Sequence, residues 1–252
     1  MDSYDDWFSA RFEEVCRSFQ GRRFAMDPGV PDHDEATSLR KSRRRYEDSL
    51  RLLLPELRAP GERRFLDVGG GQIAWLVAPL FPGRTFAADL GDVFAEEGRR
   101  LGVESRPWDL RSDEAPFDAE SFDVVAFTEV IEHLPPPPFP YVRRVVRLLK
   151  PGGVLLFSCP NLAAFAKRLK FLLFGRSPVK LGTRYHERAG IPDHIREYTV
   201  PEIRSFLRSC GLRVERITGG DYGFGAWRRA TTLLARIRPS LGRSVLVRAY
   251  RG

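Results

Sequence analysis

Apolar residues recur at helical spacing in two stretches near the start of the chain: Trp7, Phe8, Phe12, Val15 and Phe19, then Leu39, Tyr46, Leu50, Leu53, Leu54 and Leu57. The spacing predicts helices over about 5–19 and 36–57, separated by a Pro/Gly/Asp loop at 26–34. From Arg64 the pattern changes. Short apolar runs at Phe65–Val68, Thr85–Ala88, Gly102–Arg106, Phe122–Phe127 and Val154–Ser158 predict strands, with helical patterns at Ile73–Leu80, Val93–Leu101 and Tyr141–Leu149 between them. The last of these helices runs into Lys150-Pro151-Gly152-Gly153, a stop followed by a turn. Beyond Asn161 the periodicity predicts a helix at Leu162–Phe174, a loop to about Asp193, a helix at Pro201–Cys210 and a strand at Leu212–Thr218. A helix at Trp227–Ile237 and a final strand at Ser244–Tyr250 complete the chain. Alternation of this kind predicts an α/β fold, doubly wound and mostly parallel with helices on both faces of the sheet, preceded by a helical N-terminal extension over 1–60. Ligands of such sheets bind beyond the carboxyl ends of the strands, so functional residues are expected just after strands.

A chain of 252 residues with 42% hydrophobic content can bury one large core. The three cysteines, Cys16, Cys159 and Cys210, have neither the short spacing that holds a metal nor an even disulfide framework. No metal is expected, and a reducing cytoplasm is the expected compartment. Met1–Asp6 is acidic where a secretion signal is basic, and no run of about 18 apolar residues occurs. Charge is unevenly placed: residues 1–160 carry 22 Lys/Arg against 27 Asp/Glu, residues 161–252 carry 19 against 6. The basic third suits an anionic partner, whether nucleic acid, lipid headgroup or phosphorylated substrate, or is simply a solvated surface.

Phe65-Leu66-Asp67-Val68-Gly69-Gly70-Gly71 runs a strand straight into three glycines and then a helix, which lets backbone N–H groups approach a bound nucleotide without a Cβ in the way. Alone this is a weak signal, because such glycines also make plain turns. Asp89 ends the second strand, where a carboxylate can accept both hydroxyls of a ribose. Asp109 follows the third, placed to accept an adenine amine, and Asp67 can attract an ammonium. Each singly is also an ordinary cap or turn aspartate. Together they fit a ligand that carries an ammonium, a ribose and an adenine. One rival is a dinucleotide, since Gly69, Gly71 and Ala74 satisfy G-x-G-x-x-A with Asp89 at a suitable distance. Against it, Asp67 would lie near the pyrophosphate, and none of the seven tyrosines is followed four residues later by lysine.

On these residues the chain resembles the class I S-adenosylmethionine-dependent methyltransferases, over roughly Phe65 to Tyr250. Phe65–Gly71 resembles the family's first motif and Ala88-Asp89-Leu90 its second-strand acid. Pro116-Phe117, Ser121–Val125 and Glu129-Val130-Ile131-Glu132-His133-Leu134 resemble its fourth-strand motif, and Leu149–Gly153 with Val154–Ser158 the run into strand five. His194–Thr199, Glu202-Ile203 and Cys210-Gly211-Leu212 resemble the approach to strand six. The resemblance implies a Rossmann-like seven-stranded sheet over 61–252, with 161–198 as a basic lid. It implies S-adenosylmethionine as cofactor: Gly69, Gly70 and Gly71 beneath it, Asp67 facing its methionine part, Asp89 with Leu90 its ribose, Asp109 with Leu110 its adenine, and Thr128 and Glu129 near the sulfonium. Ile73 departs from the family, which often has a further glycine there.

The cofactor carries an activated methyl group, so few catalytic side chains are required. If the acceptor is a hydroxyl, a general base helps, and the candidates are His33, His133, His186 and His194. His194 is favoured over the others, beside a purely structural role. Cys159-Pro160 reads as core rather than a nucleophile. Asn161 lacks the Asn-Pro-Pro-Tyr context of base amino methylation. The acceptor expected is a small molecule, a glycan or a lipid-linked compound, with peripheral membrane contact through 162–180. RNA is the second choice of partner, and a cofactor-binding protein without turnover the third.

Overall fold

The computed structural model describes residues 3–22, 34–112, 114–175, 185–186, 191–192, 194–220 and 228–252, and of these the backbone alone at 185–186, 191–192 and 228–231. Two long helices, α1 (Tyr4–Ser18) and α2 (Glu35–Leu52), and a short α3 (Leu54–Arg58) precede the sheet. Ser3 caps α1 by accepting from the Asp6 amide, and Asp34 caps α2 by accepting from that of Thr37. The single helix expected over 36–57 is broken at Leu53, because Pro55 in the first turn of α3 has no N–H to continue the ladder.

The alternating part then runs β1 (Phe65–Val68), α4 (Gln72–Val77), β2 (Thr85–Asp89), α5 (Ala95–Arg100), β3 (Val103–Pro107), β4 (Phe122–Thr128), α6 (Phe139–Leu148) and β5 (Leu149–Pro160). It continues through α7 (Phe165–Phe174), a two-residue hairpin of β6 (Tyr185–His186) and β7 (Ile191–Pro192), α8 (Val200–Ser209), β8 (Leu212–Gly220), α9 (Arg228–Ile237) and β9 (Ser244–Arg251). Seven strands form one sheet in the order β3-β2-β1-β4-β5-β9-β8. All neighbours are parallel except β9, which is antiparallel to both β5 and β8. The strand order reverses between β1 and β4, the switch point at which such sheets open a crevice at their carboxyl ends.

Strand periodicity sorts the core into two layers. On β4 and β5, Phe122, Val125, Phe127, Leu155, Phe157 and Cys159 face one side, where α6 and α8 cover them with Val142, Val145, Ile203, Phe206 and Leu207. Val124, Ala126, Val154 and Leu156 face the other, beneath Phe8, Phe12, Phe19, Leu39, Leu50 and Trp75. The N-terminal helices are therefore one of the sheet's covering layers. The boundary expected at residue 60 marks a change of element type within a continuous core. Arg11 of α1 donates through Nε and Nη2 to the Trp75 carbonyl near the end of α4 (3.1 and 2.5 Å), satisfying a helix-terminal acceptor from 64 residues away. Among the described residues no helix is long and apolar enough to cross a membrane.

Candidate active site

β1 delivers the chain to the switch point and then turns sharply through Gly69, Gly70 and Gly71, with φ of +98, +82 and +80°. A Cβ at Gly69 would stand 2.2 Å from Cγ2 of Val130, so the residue is bound to glycine by conformation and by contact. Its amide donates to the Ala88 carbonyl at 2.8 Å, laying the turn against β2. Asp67, buried beneath the turn, accepts through Oδ2 from the amides of Ile73 and Ala74 (2.8 and 3.1 Å), capping the first turn of α4. Ile73, where the family often has glycine, thus keeps its backbone engaged and buries its side chain in the core. The other carboxylate oxygen of Asp67 is buried without a hydrogen-bond partner among the described residues. Burial pushes this acid up to about 7 despite the two amides, with nearby Asp89 adding to the rise.

Asp89 accepts the Leu90 amide at 2.8 Å and also that of Gly70, so the acid after β2 is tied to the glycine turn it was expected to accompany. Burial raises its pKa against those bonds. Trp108 donates its amide to the Asp89 carbonyl at 2.7 Å, bringing the turn after β3 alongside. Asp109, however, is turned outward. Its carboxylate accepts from Nε of Arg111 (2.9 and 3.0 Å) and from the Arg111 amide (2.8 Å), which holds its pKa below the usual carboxylate range. The neighbouring Leu110 is buried while Leu90 is exposed.

At the end of β4, Thr128 is followed by Glu129 in a left-handed conformation (φ +56°), which costs a non-glycine residue about 1–3 kcal/mol and is tolerated where surrounding contacts fix it. Three contacts do so here: the Glu129 amide donates to the Ser158 carbonyl at 2.9 Å, the Ser158 hydroxyl on β5 donates to Oε1 at 2.8 Å, and Arg45 of α2 donates to Oε2 at 3.1 Å. Arg45 lies 84 residues away, one of several arginines of α2, and the sequence around it carries no sign of this role.

The histidines separate. His133 and His194 stand edge to face with ring centroids 5.1 Å apart. Glu132 between them is 1% exposed, and its backbone carbonyl accepts the amides of Ile195 and Arg196 (2.7 and 3.2 Å). His33 and the side chain of His186 lie outside the described residues. Cys159 is wholly buried and its thiol is pushed well up by that burial, as a core residue rather than a nucleophile. Asn161 spends its amide on the Ser240 and Gly242 carbonyls (3.0 and 2.7 Å), fastening the end of β5 to the turn before β9.

This geometry matches known proteins over most of its length. A family model described as a methyltransferase domain matches residues 38–217. The chain is 32% identical over 187 residues to a ubiquinone biosynthesis O-methyltransferase of Xanthomonas axonopodis pv. citri, covering 70% of this chain and 73% of that one. A protein of the same name from Xanthomonas oryzae pv. oryzae is 32% identical over 183 residues, covering 69% and 71%. Among solved structures, an S-adenosylmethionine-dependent methyltransferase from Thermotoga maritima superposes with a TM-score of 0.54 at 17% identity, over 86% of this chain and 94% of that one. One from Mesorhizobium loti gives 0.52 at 17%, over 79% and 97%. At such identities the structural likeness shows the shared fold.

Proposed function

This chain belongs to the class I S-adenosylmethionine-dependent methyltransferases, and on that premise we propose that it methylates a hydroxyl oxygen of an apolar small molecule. The cofactor supplies a methyl group already activated on a sulfonium, which leaves the chain to bind, orient and exclude water. The residues at the switch point fit it. The unpartnered buried oxygen of Asp67 suits the cofactor's ammonium, a triple donor. Asp89, tied to Gly70, keeps acceptor capacity for a ribose diol beside Leu90. Gly69, Gly70 and Gly71 form a floor without Cβ atoms. Asp109 and Leu110 take the adenine end, and releasing Asp109 from a half-exposed Arg111 costs only up to about 1 kcal/mol. Thr128 and Glu129 line the wall, where Arg45 and Ser158 hold Glu129 in place.

The observation that carries the acceptor reading lies at the same end of the sheet. No residue of α7 is buried, and Phe171, Leu172, Leu173 and Phe174 are 58–80% exposed; Leu233 and Ile237 of α9 are 60 and 72% exposed. Arg168 on α7 donates to the Ser240 carbonyl (3.3 Å), tying α7 to the turn that follows α9. Such a surface suits an apolar acceptor, and with the exposed Arg168 and Lys170 beside it, it suits an anionic lipid interface. The relatives named O-methyltransferases support oxygen as the accepting atom. The rest of the lid expected over 161–198 lies mainly outside the described residues.

The test is transfer of tritiated methyl to matched apolar phenols and anilines, presented in neutral or anionic vesicles, with glycan and RNA extracts in parallel. The phenol is expected to take up label, faster with anionic vesicles, which the protein should accompany on flotation. Label confined to the anilines or to RNA would overturn the reading, and turnover indifferent to lipid would overturn its membrane part.

A further inference from the structure

The sequence gives no reason to expect a metal, since its cysteines are scattered and its histidines lie far apart. The fold brings three of its chemistry-bearing side chains together. Glu132 and His133 sit in a single 3-10 turn (Ile131–His133) after β4, and His194 precedes α8. The backbone bonds from Ile195 and Arg196 to the Glu132 carbonyl clamp these two segments. One ligating atom from each of Glu132, His133 and His194 lies within 4.8 Å of the others. We propose that Glu132, His133 and His194 bind a divalent cation of the zinc type beside the methyl-transfer cleft.

Three further observations point to a ligand rather than a chance cluster. Oε2 of Glu132 is buried without a hydrogen-bond partner among the described residues, and an unpartnered carboxylate oxygen in the interior is costly unless a cation meets it. The ring of His194 is already oriented: Nδ1 lies 3.4 Å from Oε1 of Glu197, while Nε2 faces Glu132 at 4.0 Å. A carboxylate on one ring nitrogen with the other directed at the site is the outer-shell arrangement of metal-ligating histidines. Glu197 is itself fixed by an ion pair with Lys167. Finally, the donor set is two imidazoles and a carboxylate, the composition of catalytic zinc sites, which keep a coordination position open. Tetrahedral ligands about 2.1 Å from zinc stand roughly 3.4 Å apart, so small side-chain rotations close the set.

The site has a use that rests on the proposed oxygen acceptor. A hydroxyl arriving at the open position loses its proton to solvent more readily than a free one, which makes the oxygen a better acceptor of a methyl group. His194 then acts as a ligand, and no histidine base is needed.

The test is direct binding to the full chain after dialysis against a chelator. Zn2+ is titrated by calorimetry and Co2+ by its visible absorption, with S-adenosylhomocysteine titrated separately into the same samples. The expected result is about one equivalent of metal per chain and a Co2+ spectrum of low coordination number. Glu132→Gln, isosteric, and His194→Ala, at a partly exposed ring, should each weaken binding by more than about tenfold while cofactor affinity persists. No stoichiometric metal on the wild-type chain, or unchanged binding by both variants, would overturn the proposal. Loss of S-adenosylhomocysteine binding with metal retained would count against the cofactor site instead.

Discussion

Gly69→Ala is expected to remove cofactor binding and to lower the melting temperature by roughly 4–12 °C, from about 2–3 kcal/mol of strain in a chain this long. The new Cβ faces two independent objections. A φ of +98° is unfavourable to any side chain, and Cγ2 of Val130 stands 2.2 Å from where the Cβ would lie. Because Val130 belongs to the segment after β4 that also carries Glu129 and Glu132, the turn must withdraw from the floor of the cleft. Gly152→Ala is the control, since its φ is +73° but nothing lies within 4 Å of its would-be Cβ. It should cost less and keep the full thermal shift on adding S-adenosylhomocysteine, whereas Gly69→Ala should show no shift. Equal behaviour of the two variants would mean that contact with Val130 is unimportant to the site.

Asp89→Ala should weaken S-adenosylhomocysteine about 10- to 150-fold, the equivalent of ~1.5–3 kcal/mol for hydrogen bonds involving a charge. The loss has two sources. The ribose hydroxyls lose their acceptor, and the amides of Gly70 and Leu90 lose the carboxylate that holds the turn against β2. Asp89→Asn keeps one acceptor oxygen and should fall between alanine and wild type. Calorimetry giving all three proteins the same affinity would remove Asp89 from the site.

The framework of this protein is legible in its sequence because its central strands are buried on both faces. Phe65–Val68 and Phe122–Phe127 read as strands from short apolar runs, each broken by a single aspartate (Asp67, Asp123), and the glycines and Glu129 just past them fall at the switch point. What is not legible depends on partners distant in sequence. Arg45 reaches Glu129, and His194 reaches Glu132, only because the covering helices and the approach to α8 fold over the same strand ends. The break at Leu53 is a local signal, Pro55, masked by apolar spacing that continues through it. Asp109 does follow β3, but its carboxylate faces its neighbour Arg111, a choice of rotamer that no pattern of residues announces.

Parallel titration of S-adenosylhomocysteine and NAD into the wild-type protein tests the cleft most directly, because the glycine turn alone would serve either ligand. The acid beneath the turn and the acids after β2 and β3 predict saturable binding of S-adenosylhomocysteine at one site per chain and none of NAD. Binding of NAD in its place would contradict the assignment of Asp67, Asp89 and the glycine turn to the methyl donor.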